Sequence, residues 1–191
     1  GDSLQALKGY ADNHFDVAIV DPPYGIGASE MTMGSGKNKK YKKGKKWDNE
    51  TPTQEYFLEL QRVSKNQIIW GGNYFTDKLS PTRCYIFWDK GINGDCDFAD
   101  GELAWCSFDR VLRKAPVRYK GFLGADNVRI HPTQKPVKLY NWILEHYTKE
   151  NDLILDTHLG SGSIAIACHY MKRKLIGYEI DKEYYDAACK R

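Results

Sequence analysis

Asp21-Pro22-Pro23-Tyr24 is the stretch whose residue types most directly suggest chemistry. It follows a short β-branched apolar run, Val17 to Val20, that reads as a buried strand. The carboxyl end of such a strand is where α/β proteins place a ligand crevice. The prolines fix φ and supply no N–H. The Asp21 carboxylate and the Pro22 carbonyl therefore stand side by side as an acceptor-only pocket, matched to an –NH2 group. An exocyclic base amine is a poor nucleophile because its lone pair is delocalised into the ring. Two acceptors holding its hydrogens favour the pyramidal nitrogen and stabilise the positive charge that develops as it attacks a methyl sulfonium. Tyr24 can stack on the base, and a base in a duplex must be flipped out to arrive there. The plainer alternative is that Pro22-Pro23 ends a strand and Asp21 caps a turn.

A second constellation runs from Leu153 to Ala165 (LILDTHLGSGSIA). Gly160, Gly162 and Ala165 have G-x-G-x-x-G/A spacing, which lets a backbone turn tightly and a ligand approach it closely. Glu179 ends the next predicted strand, 19 residues after Gly160, where an acid can accept hydrogen bonds from both ribose hydroxyls of an adenosine. Asp156 stands at the strand end before the glycines. A carboxylate there repels a dinucleotide pyrophosphate. It suits S-adenosylmethionine instead, which carries an ammonium and a sulfonium and no phosphate. The alternative is a purely structural strand-to-helix turn.

Charge is unevenly distributed. Residues 37–46 (KNKKYKKGKK) hold seven lysines and no acid, so the rest of the chain is net −4 against +3 for the whole. Lys37, Lys39, Lys40, Lys42, Lys43, Lys45 and Lys46 form a phosphate-contacting loop or a solvated, solubilising one. Hydrophobic residues at 41% and aromatic residues at 13% exclude a disordered or collagen-like chain. The five cysteines (84, 96, 106, 168 and 189) contain no C-x-x-C, and the histidines no H-E-x-x-H. These facts predict reduced thiols, a cytoplasmic setting and no catalytic metal. No apolar run approaches the roughly 18 residues of a membrane span. The chain opens on Gly rather than Met, which predicts a processed chain or a piece of a longer one.

The elements that must position these groups alternate. Strands are expected at Val17–Val20, Gln67–Trp70, Cys84–Trp88, Glu102–Trp105, Asp152–Leu155 and Lys174–Tyr178. Helices are expected at Thr53–Val63, from Thr133 onward with Pro136 near its first turn, at Ile164–Met171, and at Asp181–Cys189 with Asp181 as N-cap. Residues 28–50 are a long polar loop. The class is α/β with a mostly parallel sheet.

The motifs together resemble the beta class of amino DNA methyltransferases, which methylate adenine N6 or cytosine N4. D-P-P-Y at Asp21 to Tyr24 matches their catalytic motif, and H-P-T-Q-K-P at His131 to Pro136 the stretch before the cofactor strand. D-T-H-L-G-S-G-S at Asp156 to Ser163 resembles the cofactor loop, and G-Y-E-I at Gly177 to Ile180 the ribose-binding strand. Gly1-Asp2 resembles the G-D before the catalytic motif, whose acid contacts the cofactor adenine. The permuted order, catalytic motif first and cofactor loop last, defines the class. Three departures stand out: His158-Leu159 for an aromatic-containing pair, Ser163 for Thr, and a start at Gly1 with no strand before Asp2.

The resemblance implies a Rossmann-like, mostly parallel seven-stranded sheet with one antiparallel strand, in a single methyltransferase domain over residues 1–191. It implies S-adenosylmethionine as methyl donor, held by Asp2, Thr133, Lys135, Asp156, Gly160, Ser161, Gly162, Ser163 and Glu179. The catalytic set is Asp21, Pro22, Pro23 and Tyr24. Double-stranded DNA is read by the basic loop and a short recognition region within 108–130 that includes Arg113 and Arg118. Trp47, Trp70 and Tyr74 line the flipped-base pocket or are packing residues. Such enzymes are bacterial, archaeal or phage-encoded, and the family admits a homodimer and a cognate restriction endonuclease as partners. D-P-P-Y leans towards adenine N6. The alternatives are cytosine N4, a catalytically silent DNA-binding homologue, an NAD-dependent oxidoreductase, and methylation of a protein glutamine or RNA amine.

Overall fold

The computed structural model describes residues 2–27, 48–91, 99–119, 130–131 and 133–191. The whole of the lysine run 37–46, Trp47 and residues 120–129 lie outside these ranges.

The first central strand, β1 (Phe15–Val20), is buried on both sides, as its unbroken apolar run requires. Strands alternate their side chains between faces, and from Val17 to Val20 the core divides accordingly, with Phe15 at the strand's start packing with Ala18 and Val20. Val17 and Ile19 join one cluster with Ile68, Trp70, Ile143 and Ile164. Phe15, Ala18 and Val20 join the other with Phe57, Leu60 and Leu155. Helix α1 (Ser3–Lys8) precedes β1, and α2 (Gln54–Val63) follows it. Thr53 caps α2 by accepting from the Tyr56 N–H at 3.3 Å, and the buried face of α2 is Tyr56, Phe57, Leu60 and Val63. Then come β2 (Ser64–Trp70), a single turn of 3-10 helix at Gly72–Tyr74, β3 (Tyr85–Asp89), β4 (Gly101–Cys106) and β5 (Arg113–Ala115). The chain closes with α3 (Val137–Tyr147), β6 (Leu153–Asp156), α4 (Ser163–Tyr170), β7 (Lys174–Gly177) and α5 (Lys182–Lys190).

The seven strands form one sheet in the order β5-β3-β4-β2-β1-β6-β7. β4 is the reversed strand: it pairs antiparallel with β2 and β3, whereas β1 pairs parallel with β2 and β6, β3 with β5, and β6 with β7. The expected seven-stranded, mostly parallel α/β sheet is the one observed. Its winding turns outward in both directions from β1, so the crevice lies between the carboxyl ends of β1 and β6. Reversal gives β4 a special place, since its first residues, not its last, reach that edge.

Several expected boundaries move for physical reasons. The helix expected from Thr133 starts at Val137, because Pro136 holds its own backbone extended (φ −72°, ψ 146°) as the N-cap and disfavours helix in the residue before it. β2 begins at Ser64, directly after α2, three residues before the apolar run makes it visible. β5 has no counterpart among the expected strands. Arg113-Lys114-Ala115 has no apolar pattern and becomes a strand by pairing onto the edge of β3. α1 is likewise additional to the expected helices; Asp2 starts it by accepting from the Leu4 N–H at 2.9 Å.

Candidate active site

Asp21 leaves the end of β1, and its carboxylate is engaged on both oxygens. Tyr24 OH donates to Oδ1 at 2.7 Å, and Lys135 Nζ to Oδ2 at 2.5 Å. Lys135 thus crosses from the H-P-T-Q-K-P segment to the D-P-P-Y corner, 114 residues away in sequence. Its side chain is only 4% exposed, and its ammonium lies 5.1 Å from the centre of the Trp70 ring. Burial pulls the Lys135 pKa down, but the carboxylates of Asp21 and Glu102 outweigh it, and the net shift is upward.

Glu102 comes from the reversed strand. Its Oε1 pairs with Lys90 Nζ at 2.7 Å, and its Oε2 lies 3.1 Å from Lys135 Nζ. Burial alone would raise the Glu102 pKa; Lys135 and Lys90 reverse that and bring it to about 2. Asp21, Lys135, Glu102 and Lys90 therefore form a charge-balanced chain across the crevice edge of β1, β4 and the end of β3. Sequence reasoning found the first two and missed the others. The available signal was a carboxylate opening an otherwise apolar strand.

The corner itself is fastened by Asp48, which is 1% exposed. Its Oδ1 accepts the backbone N–H groups of Tyr24 (2.6 Å) and Gly25 (3.0 Å), and its carbonyl accepts Gly27 N–H at 3.1 Å. The Tyr24 ring stacks on Tyr74, centroids 4.9 Å apart and 13° from parallel. Tyr74 is thereby brought to the site at the surface, whereas Trp70 is fully buried beneath Lys135 as packing. Gly71 has φ +70°, and a Cβ there would lie 2.2 Å from a Tyr24 ring carbon. Gly71→Ala is expected to displace the Tyr24 ring and cut turnover about tenfold or more, with Tm lowered by only a few degrees. Parallel activity and melting measurements check this.

Asp156 ends β6 next to β1 and is 2% exposed. It accepts the His158 N–H at 2.9 Å. Burial pushes its pKa up to about 8, and the charges of Asp21 and Glu179 add to the rise. The glycine loop turns through two positive-φ residues, Gly160 (+51°) and Gly162 (+70°). Glu179 Oε2 accepts Gly160 N–H at 2.7 Å, and its Oε1 accepts Asp181 N–H at 2.8 Å. Ser161 and Ser163 share a hydroxyl–hydroxyl contact of 3.0 Å. Arg191, a further residue sequence reasoning missed, braces them by donating to the Ser161 carbonyl (3.0 Å) and Ser163 Oγ (2.9 Å). His158, the first residue of the pair that departs from the expected aromatic-containing one, packs edge-on against Tyr56 (5.6 Å, 72°), and burial depresses its pKa to about 4, leaving it neutral. Its Nδ1 contacts Thr157 Oγ1 at 2.9 Å, and that hydroxyl meets Tyr56 OH at 2.6 Å. Thr133 turns back on its own segment, with Oγ1 3.1 Å from His131 Nδ1.

Two positional findings concern the expected recognition residues. Arg118 follows β5 at the crevice edge, with its side chain against Gly91. Arg113 opens β5 towards the other edge and shares a groove of about 650 Å3 with Arg110, Trp142, His146 and Tyr147, by the C-terminal end of α3. Lys135 precedes the opposite end of that helix. The seven lysines lie outside the described residues.

A family model described as DNA methylase, of the N6/N4 methyltransferases, matches residues 41–190. The Type II methyltransferase M.HpaI of Haemophilus parainfluenzae is 25% identical over 233 residues, covering 99% of this chain and 71% of its own length. The putative methylase YubD of Escherichia coli (strain K12) is 25% identical over 212 residues, covering 100% and 87%. Among solved structures, M1.HpyAVI in complex with SAM superimposes with a TM-score of 0.63 at 20% identity, covering 100% of this chain and 96% of that one. The cytosine-N4-specific PvuII DNA methyltransferase gives 0.62 at 15% identity, covering 99% and 83%.

Proposed function

The chain belongs to the N6/N4 family of DNA methylases, and from that premise we propose that it transfers a methyl group from S-adenosylmethionine to N6 of a flipped-out adenine in double-stranded DNA. The observation that carries this reading is the adjacency of two strand ends: Asp21 after β1 and Asp156 at the end of its parallel neighbour β6. One presents an acceptor for an amine, the other a carboxylate for a cationic donor.

The donor fits the residues present. Two acidic side chains, Asp156 and Glu179, flank a loop whose one bracing cation among the described residues, Arg191, faces the Ser161 carbonyl and the Ser163 hydroxyl. A ligand with positive charge and no phosphate suits that set. When bound, the donor supplies a methyl carbon activated on sulfonium. Glu179 would hold the ribose hydroxyls after letting go of Gly160 N–H, and Asp156 would face the positive charge.

The chain's own residues orient the other reactant. Asp21 and the Pro22 carbonyl accept the two amine hydrogens and turn the nitrogen lone pair towards the methyl carbon. Tyr24, held by Asp48, stacks on the base. As the N–C bond forms and the C–S bond breaks, positive charge appears on nitrogen beside the Asp21 carboxylate, which stabilises it and takes the proton it must lose. Asp at the first motif position supports adenine over cytosine N4.

The test is methyl transfer to DNA, with sequencing of the modified base. N6-methyladenine at one sequence supports the reading, N4-methylcytosine corrects the target, and no modification overturns it. The lysine run is the proposed phosphate-binding element. Replacing Lys39, Lys40, Lys42 and Lys43 by Gln is expected to weaken DNA binding and reduce the salt slope of log Kd by about one unit for each phosphate no longer neutralised. An unchanged slope would return the run to a solvated surface.

A further inference from the structure

In the crevice, the acceptor that the target amine needs is already taken. Lys135 Nζ sits on Asp21 Oδ2 at 2.5 Å, and Tyr24 OH on Oδ1. Lys135 cannot leave for solvent, because its side chain is 4% exposed, and a buried ammonium without an anion is costly. Among the described residues, one other anion lies within its reach. Glu102 Oε2 is 3.1 Å from the same Nζ, already an ion pair but without a well-aligned hydrogen bond, and is shut off from solvent. The other oxygen of Glu102 pairs with Lys90 at 2.7 Å, which leaves Oε2 to face Lys135.

We propose that Glu102 is a positioning residue that receives the Lys135 ammonium when the target amine occupies Asp21. The ammonium, already within reach of both carboxylates, shifts its hydrogen bond from Asp21 to Glu102, and the charge of the buried network stays balanced throughout. This rests on the methyl-transfer reading above, since it assumes that an amine is what displaces Lys135.

The test uses the duplex whose modified site has been mapped, and the same duplex with a target base that lacks its exocyclic amine. Without the methyl donor, the wild type is expected to bind the amine-bearing duplex more tightly. In Glu102→Gln, Lys135 has only Asp21 to pair with, so that preference should fall towards one. With the donor present, kcat should fall about 10- to 100-fold while KM for DNA stays within about threefold. In a Lys135→Met background, Glu102→Gln should cause little further change, because the cation through which it acts is gone. Lys90→Met leaves Glu102 to Lys135 alone, and should hold or raise the preference; this variant also serves if Glu102→Gln fails to fold. The role is overturned if Glu102→Gln keeps both preference and kcat, if its effect persists undiminished without Lys135, or if Lys90→Met lowers the preference. A wild type that modifies no base would instead sink the methyl-transfer reading.

Discussion

Asp21→Ala is expected to reduce methyl transfer by about 10²–10³-fold or more while leaving the fold intact. Both halves follow from the network. In the proposed reaction the Asp21 carboxylate is the acceptor that holds the amine and stabilises charge on its nitrogen, and Tyr24 is oriented by donating to it at 2.7 Å. Removing it deprives the reaction of its electrostatic partner at the bond-forming atom. The fold should survive because Lys135 retains Glu102 at 3.1 Å, and because Tyr24 and Gly25 remain tied to Asp48 through their backbones. Asp21→Asn keeps one acceptor oxygen and loses the charge, so it should fall between wild type and alanine. Radiolabelled methyl transfer with melting curves for each variant checks the pair. Near-wild-type turnover by Asp21→Ala would rule the corner out as the reacting site.

The second large effect is on pH. Asp156 has a folded-state pKa of about 8 against 3.8 when exposed in the unfolded chain. Between those values the folded protein binds the extra proton, so stability is full at low pH and is lost as pH rises towards 8. The Tm of the ligand-free protein should therefore decline across this window, and Asp156→Asn should remove that part of the slope. Binding of a cationic donor reverses the preference, because the carboxylate is then the favoured form. Below pH 8, binding should release a proton at this site, and the donor should bind more tightly as pH rises, by up to about tenfold per unit relative to Asp156→Asn. Titration calorimetry in buffers of different ionisation enthalpy measures that release directly. Equal proton release by wild type and Asp156→Asn would show that Asp156 does not face the donor's charge.

The parts legible in the sequence are those written locally. D-P-P-Y at a strand end, the glycine loop with Asp156 before it and Glu179 after the next strand all lie in segments where an apolar run stops at a polar or glycine-rich residue. That boundary is both the structural and the chemical signal. Lys90, Asp48 and Arg191 carry no such mark, and Glu102 shows only as a carboxylate opening an apolar strand, because their meaning comes from partners far along the chain. Glu102 reaches Lys135 only because β4 runs backwards, and nothing in Gly101–Cys106 states its direction. The same reversal decides where the arginines fall: with β4 turned, β3 and β5 run with β1, so Arg118 lies at the crevice edge and Arg113 towards the other. Short elements such as β5 and α1 depend on tertiary pairing and capping rather than on periodicity.

Asp48 has a consequence for how such a protein can change. Its side chain and carbonyl tie residues on the near side of segment 28–47 to the residue that ends it, so the two roots of that segment are stapled together beside the reacting corner. Closing a longer span costs slowly, about 0.6 kcal/mol for each doubling of length. The segment's length can therefore change at little cost in stability while the Asp48-tied corner at its base stays where it is.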